Sequence, residues 1–166
     1  MNPQRFFGKF RGQCVDNVDP MQVGRITALV PDVLGGTPSG WALPCLPVAG
    51  TSSGLVALPT IGSWVWIEFE QGDPDRPIWT GGMWSVGTLP PASMGVPVGG
   101  FTLQTPGGAA LTVGDAPGFA GIALRTAGGA SITVTDAGIT IDNGRGAVIT
   151  LVGPTVDINN GAQVVV

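Results

Sequence analysis

Ser63-Trp64-Val65-Trp66-Ile67-Glu68-Phe69-Glu70 carries the clearest period in the chain. Alternation places Val65, Ile67 and Phe69 on one face and Trp64, Trp66, Glu68 and Glu70 on the other, as in a half-buried β-strand. The Val/Ile/Phe face is the predicted core. Upstream, Phe7 to Val15 reads as a strand, Asp16-Asn17-Val18-Asp19-Pro20 as a turn, and Gly24 to Val30 as a second strand closed by Pro31. Leu34 to Gly40 is a Gly/Pro-rich loop, Trp41 to Leu46 a short strand interrupted by Pro44, and Gly54 to Leu58 another before Pro59. Short strands at this spacing, with no helical period, predict a closed or nearly closed barrel of about five strands, because closure removes exposed edges.

Beyond the barrel the composition changes. All five tryptophans lie within residues 41–84, and the segment after Gly100 is dominated by Gly, Thr, Val, Ile and Ala. Gly87 to Gly100 is rich in Pro and Gly and suits an extended connector. The predicted organisation is therefore all-β, with a barrel over 1–86, a linker over 87–100 and a repeat unit over 101–166.

Leu103-Gln-Thr-Pro-Gly-Gly-Ala-Ala-Leu-Thr-Val-Gly-Asp115 aligns with Leu124-Arg-Thr-Ala-Gly-Gly-Ala-Ser-Ile-Thr-Val-Thr-Asp136 at a shift of 21, with eight of thirteen positions identical. A shift of 17 relates Ile139–Gly144 to Val156–Gly161, and the four extra residues of the first interval predict a longer turn at Asp115–Gly121. The strand cores are short pairs: Ile132/Val134, Ile139/Ile141, Ile149/Leu151, Val156/Ile158, then Val164/Val166. Asn143-Gly144 and Asn160-Gly161 supply turns suited to positive φ. Strands this short cannot bury their apolar residues alone. A homotrimer wrapped about a common axis, with ladders between chains, would bury Ile132, Val134, Ile139, Ile141, Ile149, Leu151, Val156 and Ile158 and leave Thr and Asp outside.

Composition excludes much else. Gly (28) and Pro (15) are abundant in the 166 residues, yet 43% are hydrophobic and 11% charged, the reverse of a disordered chain. The chain has no His and no Tyr, and Lys9 is its one lysine. A Ser/His/Asp or Cys/His nucleophile and a His-ligated metal are thus out of reach, so no catalytic, cofactor or metal residue is expected. Gly50-Thr51-Ser52-Ser53-Gly54 then matches the nucleophile-elbow pattern by coincidence. A net charge of −4 has the wrong sign for a nucleic-acid partner. Cys14 and Cys45 read as small buried hydrophobes. No stretch predicts a membrane span or a signal peptide.

Smaller groups have ordinary readings. Glu68 and Glu70 stand on the outer barrel face as solvated or subunit-contact carboxylates. Asp73-Pro74-Asp75-Arg76-Pro77 is a turn, with Arg76 available to pair locally, since two carboxylates fall short of a calcium shell. Trp64 and Trp66 lack a basic groove for bases and pack against the linker or a neighbouring subunit. Arg5 to Arg11, mixing cations and aromatics, is either a docking segment or the first barrel strand.

Val15 to Ile26, Ser39 to Cys45 and above all Pro59 to Trp79 resemble the OB domain of phage baseplate assembly protein V and VgrG-type spikes, and the Thr/Gly repeats resemble that family's triple-stranded β-helix. The resemblance implies an OB-fold barrel followed by an intertwined trimeric β-helix, or β-prism, serving as the central spike of a contractile injection system. It implies assembly in the bacterial cytoplasm into a phage tail, tailocin or extracellular phage-like particle, a hub protein at the OB end, and transient contact with a target membrane. Some relatives insert a lysozyme domain where this chain has only the linker, and others end in a His-x-His iron apex that a chain without histidine cannot build. Val164, Val165 and Val166 are accordingly the expected contact for a separate PAAR-like tip protein. The competing reading is an OB-fold adaptor that binds polysaccharide or peptide through its Trp face.

Overall fold

The computed structural model describes residues 4–93, 100–116 and 119–165, with the backbone alone of Ala116, Phe119 and Val164. The chain divides into two compact units, Met1–Thr88 and Leu89–Val166.

The first unit contains β1 (Phe10–Asp16), β2 (Thr27–Leu29), a single helical turn α1 (Pro31–Leu34), β3 (Leu43–Pro44), a small hairpin of β4 (Ala49–Gly50) and β5 (Ser53–Gly54), β6 (Trp64–Phe69) and β7 (Pro77–Gly82). The main sheet runs in the order β2-β1-β6-β7-β3. Its two edges meet at a bridge between Ile26 and Ala42, where Ala42 N–H donates to the Ile26 carbonyl at 2.7 Å and Ile26 N–H to the Ala42 carbonyl at 3.2 Å. That contact gives the predicted five-stranded barrel. Val65, Ile67 and Phe69 lie inside with Cys14, Ile26, Ala28, Val30, Ala42 and Trp79, so alternation in β6 identified the core face correctly. The Trp79 indole satisfies its buried N–H on the Gly24 carbonyl at 3.0 Å.

Several boundaries differ from expectation. β1 starts at Phe10, and Phe6 before it packs edge-on against Phe10 and tilted against Phe69, with ring centroids 6.2 and 6.3 Å away. The strand expected over Gly54–Leu58 is instead the hairpin at Ala49–Gly54, and Leu55 to Leu58 lie outside any strand. Ser52 takes φ 56° at that hairpin's tip with no helix behind it, so the elbow motif has no elbow geometry. β7 went unread because Pro77 hides its start, yet Pro at a strand's first residue sacrifices no ladder donor. Cys45 is exposed, correcting its expected burial; it follows β3 directly, and its N–H donates to the Trp79 carbonyl at 2.9 Å.

The second unit is one antiparallel meander: β8 (Phe101–Gln104), β9 (Ala110–Ala116), β10 (Phe119–Arg125), β11 (Ser131–Thr135), β12 (Gly138–Asp142), β13 (Val148–Val152), β14 (Thr155–Ile158) and β15 (Gln163–Val165), paired in chain order. The repeats recur as turns. Thr105 and Thr126 each donate N–H to an Ala carbonyl four residues on (2.9 Å both), and Asn143 does so to Ala147 at 3.1 Å. Gly108 and Gly129 take a positive φ in the first two turns, and Gly144 and Gly146 both do so in the third. The longer turn expected at Asp115–Gly121 is corrected, since the extra residues lengthen β9 and β10 and keep Asp115 paired with Ala120; residues 117–118 lie outside the described residues.

β9 to β14 have both edges occupied by neighbours of the same chain. Five-residue and two-residue turns of this kind return the chain directly onto its own preceding strand. The sheet's first edge is partly covered by a short 3₁₀ turn at Pro91–Ser93, where Ala92 N–H donates to the Gln104 side-chain oxygen at 2.9 Å. The linker is therefore not extended there, and its residues 94–99 lie outside the described residues.

Candidate functional site: an uncovered apolar sheet face

Register and alternation together decide which side chains share a face. One row crosses the second unit as Phe101, Val113, Ile122, Val134, Ile139, Leu151, Val156 and Val165. The adjacent row runs Leu103, Leu111, Leu124, Ile132, Ile141, Ile149 and Ile158, and ends at Gln163. The opposite face carries Thr102, Thr112, Ala123, Thr133, Thr140, Thr150 and Asp157 in one file across the strands. One side of the sheet is hydrocarbon and the other is mostly hydroxyl.

The apolar side is uncovered in the single chain. Leu103 is 58% exposed, and Ile132 and Ile141 42% each. A contiguous face of this size is an association surface rather than ordinary scatter. All eight predicted core residues lie on these two rows: Ile132, Val134, Ile139, Ile141, Ile149, Leu151, Val156 and Ile158. The sequence reading missed Phe101, Leu103, Leu111, Val113, Ile122 and Leu124. The 21-residue shift was the available signal, because it maps Leu103 onto Leu124, Leu111 onto Ile132 and Val113 onto Val134. Of the predicted tip residues, Val165 continues the first row opposite Val156 and is half-exposed. The Val164 side chain and Val166 lie outside the described residues.

Polar groups in this unit serve its turns. The Asp142 carboxylate accepts the Gly144 N–H at 2.6 Å, Asp157 that of Gly161 at 2.7 Å, and the Asn143 side-chain oxygen those of Arg145 and Ala147. In the barrel, Glu68 accepts from Lys9 at 2.7 Å and Glu70 from Arg76 at 2.8 Å, so both outer carboxylates are engaged in partly exposed ion pairs. Asp73 accepts the Asp75 N–H within its own turn. Among the described residues no cluster of His, Cys, Asp or Glu could hold a metal ion. No described helix is long and apolar enough to cross a membrane.

Asp19 is a larger surprise. Its buried carboxylate accepts the N–H groups of Met21, Val23 and Arg25 at 3.0, 2.9 and 3.2 Å, and the Arg25 guanidinium at 2.6 and 3.0 Å. Arg25 in turn lies over the Trp41 ring, 5.4 Å from its centroid. The guanidinium, helped by the three N–H donors, holds the Asp19 carboxyl far below the usual carboxylate range. A depressed folded-state pKa stabilises the fold above the unfolded value, near 4, and that contribution fades as pH falls below it. Asp19→Asn should lower the barrel's Tm clearly at pH 7, and the gap to wild type should close progressively below about pH 4. Thermal melts followed by Trp fluorescence at several pH values check this.

Two family models match the chain. Residues 10–84 match the type VI secretion system/phage-baseplate injector OB domain, and residues 100–164 match the phage baseplate V C-terminal trimerisation domain. A comparison with curated proteins finds no match.

Proposed function

Because the chain belongs to the phage baseplate V family, a homotrimeric structural component of the baseplate of a virion or phage-like particle, we propose that it is the central spike that sheath contraction drives through the target envelope. The observation that carries this reading is the two-row apolar face. Three copies of a sheet with one hydrocarbon side close into a triangular prism whose core is Ile132, Val134, Ile139, Ile141, Ile149, Leu151, Val156 and Ile158 with their counterparts in β8 to β10. Taking the exposed part of each Ile or Leu out of water contributes roughly 1 kcal/mol. Backbone ladders completed within each chain keep every face stiff, and the three faces brace one another.

The prism is a triple-stranded spike in the VgrG-like sense, built from sheets side by side. It acts mechanically and without catalysis, in keeping with a chain that lacks histidine and tyrosine. The barrel end meets the baseplate hub, and Val164, Val165 and Val166 receive a PAAR-like tip protein, for which the half-exposed Val165 at the end of the apolar row gives support. Particles assembled in the cytoplasm without this chain should fail to permeabilise target envelopes, and restoring it should restore them; particles that lack it and still permeabilise would overturn the reading. The adaptor alternative instead requires a monomer with saturable glycan or peptide affinity at Trp64.

A further inference from the structure

The charged side chains of the second unit are two arginines and four aspartates, and the fold sorts them. Its meander turns alternately at two margins of the sheet. The first margin holds the turns at 105–109, 126–130, 143–147 and 159–162, and the second is where β9, β11 and β13 end. Both arginines lie at the first margin: Arg125 ends β10, and Arg145 sits in the turn after β12. Asp142 and Asp157 share that margin, but their carboxylates are taken by the turn N–H groups of Gly144 and Gly161. The second margin has Asp115, next to last in β9, and Asp136, in the turn after β11. Arg125, Arg145, Asp115 and Asp136 are all exposed, and among the described residues none of them forms an ion pair.

Unpaired opposite charges on opposite margins call for a partner that brings the two margins together. Within one sheet they do not meet, since the length of β12 sets Asp136 and Arg145 roughly 15 Å apart at about 3.4 Å per residue. A further copy of the chain supplies what is missing. In a closed ring of three, each sheet meets the next with first margin against second, whereas a two-fold dimer sets like margin against like.

Two details agree on how the margins align. Each arginine stands one strand further along the meander than one aspartate: Arg125 on β10 against Asp115 on β9, and Arg145 after β12 against Asp136 after β11. A single offset of about 4.8 Å, one strand spacing, therefore aligns both pairs. The faces agree as well. Asp115 is on the apolar face, two residues beyond Val113, and Arg125 is on the hydroxyl face beside Ala110 and Ser131. Where one sheet overhangs the next at a corner of the prism, the apolar face of the first looks onto the hydroxyl face of the second.

We propose that ion pairs between copies fasten the corners of the trimer, Arg125 of one chain with Asp115 of the next and Arg145 with Asp136. The proposal rests on the trimeric reading above. Exposed pairs of this kind add little stability singly. Their effect is on orientation, because they favour the ring in which unlike margins meet and set arginine against arginine in any pairing of like margins.

Asp136→Cys with Arg145→Cys in the full chain, combined with Cys45→Ala to remove the exposed native thiol and leave only buried Cys14, supplies a crosslinking pair. Treated with a short bis-maleimide, this variant should run mostly as covalent trimer on a denaturing gel, and either substitution alone should leave single chains. Charge reversal reads the second pair. Arg125→Asp or Asp115→Arg alone should lower the temperature at which the trimer dissociates by several degrees, and the two together should recover most of the loss. Three-chain mass without covalent trimer, or without recovery, overturns the corner pairing and leaves the trimer standing. Single-chain mass for the unmodified protein overturns both.

Discussion

Ile141→Asp is expected to reduce the solution mass from three chains to one. Ile141 sits mid-sheet in the second apolar row, opposite Ile132 on one side and Ile149 on the other. A carboxylate there would enter the hydrocarbon interior of the prism three times over, unpaired and close to its two copies. Burying an unpaired charge of this kind costs several kcal/mol per chain, more than any one aliphatic contact returns. The barrel should survive, because its core of Val65, Ile67, Trp79 and neighbours lies in the other unit. Since all five tryptophans are in the barrel, Trp emission should stay native while the oligomer is lost. Thr140→Asp is the matched control. It lies one residue away on the hydroxyl face, beside Thr133 and Thr150, and should leave the trimer intact with a change within about 0.5 kcal/mol.

Gly138→Ala should destabilise the second unit by about 3 kcal/mol or more, through a different cause. Gly138 opens β12 with φ 152°, and a Cβ at that position would run into the Leu151 carbonyl oxygen of β13. That oxygen belongs to a backbone held by its ladder and cannot rotate aside, so β12 and β13 must part or the backbone must take up strain. Gly121 faces the Val134 carbonyl in the same way, one repeat earlier. Gly153 also takes positive φ, but nothing crowds its missing side chain. Gly153→Ala should therefore cost only the left-handed strain of about 1 kcal/mol. Denaturant melts by far-UV circular dichroism at one fixed protomer concentration measure the difference; equal losses at the two positions would mean strain alone, with no clash.

Much of this architecture is written in local pattern. Val65, Ile67 and Phe69 announce the barrel core by alternation, and the Leu103/Leu124 repeat announces stacked units. What pattern leaves open is pairing. A two-residue apolar core such as Ile139/Ile141 looks the same whether its neighbours come from its own chain or from another, and the choice rests on turns that bring β12 back onto β11. Cys45 misled for a related reason, since a free cysteine reads as a small core residue when it in fact lines an open groove. Asp19 was legible as a turn residue and no more. Its role depends on Arg25 and three N–H groups converging in space, and spacing alone does not reveal that.

Closure of the apolar face by two further copies is the central claim, and light scattering on the purified full chain tests it most directly. The expected mass is three times the 16.8 kDa chain, held through dilution and mild detergent. A stable 16.8 kDa species that stays soluble with Leu103, Ile132 and Ile141 facing water would contradict it.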